Sequence, residues 1–207
     1  MQATFREVTV RRVDAPDPLS RASRSAAGHA ALSDLVADLA GVESSEVVIE
    51  SRCPDCGGPH GRPVVMAPDA AVGIRVSLAY AGDVVVAAAR RGGAIGVDAE
   101  LRDRAHTGHD ERRAIQALAP GDGDPLIRWT RIEAVLKADG RGLRVEPGLV
   151  RFEQQAGRLV AGAPDDPRRY AVRDVPLGDD VIVTVALEVR ARDDWGGPAA
   201  LRSPARP

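Results

Sequence analysis

A two-lobed α+β fold, with each of two similar, pseudo-symmetric lobes a helix packed on a small antiparallel sheet, is what this 207-residue sequence predicts. Three observations lead there. The order helix-then-strands occurs twice along the chain. Short β-branched runs bounded by glycine recur, whereas apolar residues at helical spacing occur in few places. Composition is that of a globular chain, 44% hydrophobic and 28% charged, long enough to bury a substantial core.

Residues 4–13 (TFREVTVRRV) alternate loosely and predict a first strand. Residues 20–40 place Ala31, Leu35, Val36 and Leu39 at helical spacing before Gly41, a stop signal. SSEVVIES (44–51) predicts a strand and CPDCGGPHGRP a loop. IRVSLAY (74–80), AGDVVVAAAR (81–90) and GGAIGVDAE (92–100), punctuated by Gly82-Asp83 and Gly92-Gly93, predict consecutive antiparallel strands. A helical region over 110–119 and 125–139 ends at Gly140, and strands follow near 149–153, 158–161, 169–175 and 180–190. The expected division is an N-terminal lobe over 1–90, a C-terminal lobe over 91–190, and a flexible, unstructured tail over 191–207.

Aromatics make up only 3% of the chain, so Val, Leu, Ile and Ala must build the core. A formal charge of −2 carries no basic excess of the kind that marks a nucleic-acid binder. No apolar run reaches the roughly 18 residues of a membrane span, and MQATFREVTVRR is too charged for a signal peptide; a cytoplasmic protein is expected. Cys53 and Cys56, with His60 nearby, offer the start of a zinc site. No second Cys/His pair stands at ribbon or finger spacing, and a glycine-rich turn with two reduced thiols is the simpler reading.

Two stretches carry chemistry. In GVDAE, Asp98 and Glu100 stand at i and i+2 near a strand end, so both carboxylates point to one face. Such a pair suits a hard cation such as magnesium, or is simply a solvated acidic strand end. In RWTRIEAVLKADGRGL, Glu133 and Lys137 are i,i+4 on a helix, with Trp129 a turn earlier. The 28 cationic side chains include one lysine, Lys137. An ordinary surface ion pair would be served equally by arginine; a compact ammonium directed at a phosphate oxygen is a physical reason to keep lysine there.

GVDAE (96–100) followed by WTRIEAVLKADGRGL (129–143) resembles the 4′-phosphopantetheinyl transferase superfamily, whose pattern is GVD-x-E and then W-x-x-K-E-x-x-x-K-x-x-G-x-G. CPDCGGPHGRP and RVSLAYAGDVVVAAA resemble flanking segments of its two-lobed, monomeric type. The resemblance implies transfer of the phosphopantetheine arm of coenzyme A to a serine of an acyl or peptidyl carrier protein. It implies magnesium held by Asp98, Glu100 and Glu133, with Lys137 on the pyrophosphate. Glu133 and Glu111 are its candidate proton acceptors beside a metal-bound water, and Arg62, Tyr80, Arg21 and Arg24 its candidates for binding coenzyme A. Two positions depart from the pattern. Ala79-Tyr80 replace a Ser-His pair, and Ile132 replaces a lysine, with Arg75, Arg128 and Arg131 near enough in sequence to compensate. A relative that binds coenzyme A or a carrier protein without transferring the arm, or one repurposed in biosynthesis, is the alternative.

Overall fold

The structure, a computed structural model, describes residues 1–5, 8–17, 19–53, 56–58, 61–102, 109–190 and 200–202, without the side chains of 109–112 and 200–202. In chain order the elements are β1 (Gln2–Phe5), β2 (Val8–Asp14), α1 (Arg21–Ala40), β3 (Val48–Ser51), β4 (Pro63–Ala67), β5 (Ile74–Ala81) and β6 (Val84–Arg91). Then follow β7 (Ile95–Leu101), α2 (His109–Leu118), α3 (Pro125–Asp139), β8 (Arg151–Gln155), β9 (Arg158–Gly162), β10 (Tyr170–Asp174), β11 (Val181–Glu188) and β12 (Ala200–Arg202). The fold is α+β, and the chain divides into two compact units at Gly93/Ala94, with Ala200–Arg202 in the first. No described helix is long and apolar enough to cross a membrane.

In the first unit, β12-β1-β2-β6-β5 form one antiparallel sheet and β3-β4 a separate two-stranded ribbon. Helix α1 begins where the Ser20 hydroxyl accepts the Ser23 N–H at 3.2 Å, and ends where Gly41, at φ 73°, turns left-handed and donates to the Ala37 carbonyl. Its buried stripe, Ala31, Leu32, Leu35 and Val36, packs with Ile74, Val76, Ala87 and Ala89 of the sheet. Three expectations change here. Residues 4–13 contribute to two paired strands rather than one, and PVVMA (63–67) is a strand where the sequence shows only a short run beside a proline-rich loop. Within the expected unstructured tail, Ala200–Arg202 pairs with β1, because an edge strand presents unpaired backbone groups to any extended segment.

In the second unit the sheet order is β7-β11-β10-β9-β8, again antiparallel. Helix α3 starts at Asp124, whose side chain accepts the Leu126 N–H at 2.9 Å, with Pro125 in the first turn, and ends at left-handed Gly140. Ile132, Val135 and Leu136 from α3 pack with Ala161, Tyr170, Val172 and Ala186 in a core that also includes Val145 and Val150. Strand β7 does not continue the β5–β6 hairpin, as consecutive strands would. After Gly92 and Gly93, both at positive φ (57° and 60°), it pairs with β11 instead. Local pattern encodes a strand but not its partner, which here lies far along the chain.

Candidate active site on the second unit

Period-2 alternation puts Gly96, Asp98 and Glu100 on one face of β7, and that face meets α3. Gly96 makes the approach possible. A Cβ on it would run into the backbone of Ala134, Lys137 and Ala138, so only glycine lets the last turns of the helix lie this close to the strand. Across that contact the Lys137 ammonium donates to Asp98 Oδ1 at 2.7 Å. Asp98 and Glu100 are 7% and 9% exposed, an expensive location for two carboxylates.

Glu133, one helical turn before Lys137, is half-buried. Burial pushes its carboxyl above the ordinary value of 4.5; the Asp98 charge pushes the same way, Lys137 pulls it back, and Glu100 adds a smaller push. The Glu133 carboxyl thus feels Asp98, Glu100 and Lys137 at a single seam. The polar row continues along the sheet. Thr184, cross-strand from Asp98, donates to Asp174 at 2.8 Å, and Asp174 in turn receives two nitrogens of Arg131 on α3.

The donors are all carboxylate oxygens, which suit a hard divalent cation. Among the described residues, however, no three His, Cys, Asp or Glu side chains stand grouped so as to hold a metal ion. Asp98 gives one oxygen to Lys137, so the acids meet as an electrostatic cluster rather than as a formed cage.

The remaining expected residues lie elsewhere. Arg21 opens α1, and Arg24 and Gly28 follow on the same helix face. A Cβ on Gly28 would stand 2.9 Å from the Tyr80 hydroxyl, so Tyr80 reaches across from β5 onto that stripe. Arg62 stands directly before β4. The first unit therefore brings Tyr80 to the face of α1 that carries Arg21 and Arg24. Glu111 is on α2, and its side chain lies outside the described residues, as do His60 and His106. Cys53 and Cys56 are not joined in a disulfide; the Gly58 N–H donates to Cys56 Sγ at 3.4 Å.

Two of the three arginines expected to compensate, Arg128 and Arg131, are engaged elsewhere. Arg128 clamps the α2–α3 connection through the carbonyls of Ala119, Asp122 and Gly123, and Arg131 is taken by Asp174. Ile132 is buried in the core, so the position that departs from the family pattern serves packing in this chain. The GRGL segment (140–143) follows directly from the end of α3. It holds a 3-10 turn at Gly142–Arg144, and Arg141 is bonded to Asp139 and to the Pro164 carbonyl. Gly96 is the functional position that reading by residue chemistry misses; the glycine two residues before Asp98 is its only sequence signal.

No protein-family model matches the chain, and no curated protein matches it.

Proposed function

We propose that this chain transfers the 4′-phosphopantetheine arm of coenzyme A to a serine hydroxyl of an acyl or peptidyl carrier protein, as a magnesium-dependent, monomeric, cytoplasmic enzyme. What supports the reading is the meeting of Asp98, Glu100, Glu133 and Lys137 at the β7–α3 seam. In the reaction the serine oxygen forms a bond to the β-phosphorus, the bond from that phosphorus to the bridging oxygen breaks, and adenosine 3′,5′-bisphosphate leaves. Lys137 supplies a compact positive charge for the departing phosphate oxygen. Glu133, a metal-bound water or Glu111 would take the serine proton. Asp98, Glu100 and Glu133 would hold magnesium, which when bound neutralises charge on the pyrophosphate. Arg21, Arg24, Tyr80 and Arg62 are the groups assigned to the nucleotide phosphates, with tyrosine donating one uncharged hydrogen bond where the family pattern has histidine.

The proposal extends to the two units as pseudo-symmetric repeats. In the first, β2, α1, β5 and β6 follow one another with sheet order β2-β6-β5; in the second, β7, α3, β10 and β11 follow with order β7-β11-β10. The intervening strand pair stays in the sheet as β8-β9 in one and separates as β3-β4 in the other.

Intact-mass spectrometry of an apo carrier protein incubated with this protein, coenzyme A and magnesium tests the reading. A gain of one phosphopantetheine arm, lost on adding EDTA, is expected. A second reading, binding of coenzyme A or a carrier protein without transfer, is favoured by one observation, the engagement of Asp98 by Lys137 without a grouped set of three acids. No mass gain across several carrier classes, together with saturable coenzyme A binding, would select it.

A further inference from the structure

Helix α3 ends on a residue whose charge is wrong for its place. Asp139 occupies the last turn, where the helix dipole disfavours an anion, and its side chain is only 1% exposed. Two arginines make that tolerable. Arg141 donates Nε to Asp139 Oδ2 at 2.7 Å and Nη2 to Oδ1 at 3.3 Å, while Arg168 donates Nη2 to Oδ1 at 3.2 Å and to the Asp139 carbonyl at 3.1 Å. The arginines are themselves tied down. Arg141 Nη2 reaches the Pro164 carbonyl at 2.7 Å, and Arg168 Nε is shared by both oxygens of Asp166 at 3.0 Å. Tyr170, fully buried, donates its hydroxyl to Asp166 at 2.8 Å, and Arg168 stacks 5.7 Å above its ring.

This network joins the end of α3, the loop after it and the β9–β10 connection. Well-packed apolar residues of similar volume would avoid the desolvation of these charges, so a chain needing only packing has no reason to place an acid here. Two residues earlier stands Lys137, on the same helical turn that rests against Gly96. We propose that Asp139 is a positioning residue, whose arginine latch holds the last turn of α3 in place and with it the Lys137 ammonium on Asp98. The role of Lys137 in transfer rests on the function proposed above; its placement by the latch does not.

Because Lys137 is the only lysine, its ammonium can be observed alone in a sample labelled with nitrogen-15 lysine. In Asp139→Asn the Lys137 ammonium signal is expected to shift or broaden, and kcat for arm transfer to fall about 10- to 100-fold with KM for coenzyme A little changed. Arg141→Ala, altered at a partly exposed position, should move both readouts the same way and serves if Asp139→Asn does not fold. Tyr170→Phe, which leaves both arginines on Asp139, should retain most of the wild-type signal and rate. An unchanged Lys137 signal in folded Asp139→Asn or Arg141→Ala overturns the proposal, whatever the transfer assay shows. A perturbed signal in a protein whose wild type transfers no arm supports the latch while rejecting the transferase reading.

Discussion

Helices α1 and α3 each lie on a five-stranded antiparallel sheet, yet they bury different chemistry. Beneath α1 the seam is Leu32, Leu35 and Val36 against Ile74, Val76, Ala87 and Ala89, and its charged groups stay at the margin. There Arg11 reaches Asp34 at 3.2 Å and Asp38 at 3.1 Å, and both acids are largely exposed. Beneath α3 the seam holds buried Asp98, Glu100 and Thr184 beside its apolar residues, with Lys137 reaching Asp98 from the helix, while the Arg131–Asp174 pair lies exposed at its edge. Burying charge opposes stability unless every group is matched. The α1 seam therefore shows that this helix-on-sheet packing is met by apolar residues alone, and the α3 seam adds buried acids that packing does not require.

The comparison breaks or sharpens under substitution. Glu133→Gln is expected to reduce arm transfer about 100- to 1,000-fold, while the melting temperature holds or rises because repulsion with Asp98 and Glu100 is relieved. A melting temperature that falls with activity would make the α3 seam structural, like that of α1. Gly96→Ala drives a methyl group into the α3 backbone and should cost about 3 kcal/mol or more, seen as a lowered denaturant midpoint, with transfer lost as the helix moves off β7. Leu35→Ala leaves a cavity under α1 and should cost about 3 kcal/mol, with transfer per folded molecule retained.

Smaller effects test the electrostatics. The Glu133 carboxyl is raised above 4.5, so its neutral form suits the folded state. The stability this gives is present below that value and is lost as pH rises through the folded-state value. Denaturation midpoints of wild type and Glu133→Gln should therefore converge near about pH 4 and separate, with the variant ahead, towards about pH 7. A constant gap would place Glu133 outside the acid cluster. Arg11→Ala should cost less than about 1 kcal/mol, since its acidic partners are exposed.

Much of the local structure was legible. Ser20 and Gly41 bound α1, and Pro125 and Gly140 bound α3, because caps are backbone-satisfying signals written within a few residues of the helix end. The acids and lysine were legible for the same reason: strand and helix periods put Asp98 with Glu100, and Glu133 with Lys137, on shared faces. The use of the arginines was not. Arg128, Arg131 and Arg141 look alike as sequence, and only the positions of Ala119, Asp174 and Pro164 show that each is held by a group elsewhere in the fold. Tyr80 illustrates the same limit, since its place over α1 depends on a glycine more than fifty residues earlier.

The sequence by itself determined the α+β class, most of the helices and strands, and the chemical inventory of two short faces, because periodicity, capping and turn propensity act over a few residues. Only the tertiary structure decided that β7 pairs with β11 instead of β6, that Gly96 admits α3 against it, and that the two faces therefore meet. Those outcomes depend on backbone pairing and close packing between segments far apart in the chain, energies that no local window contains.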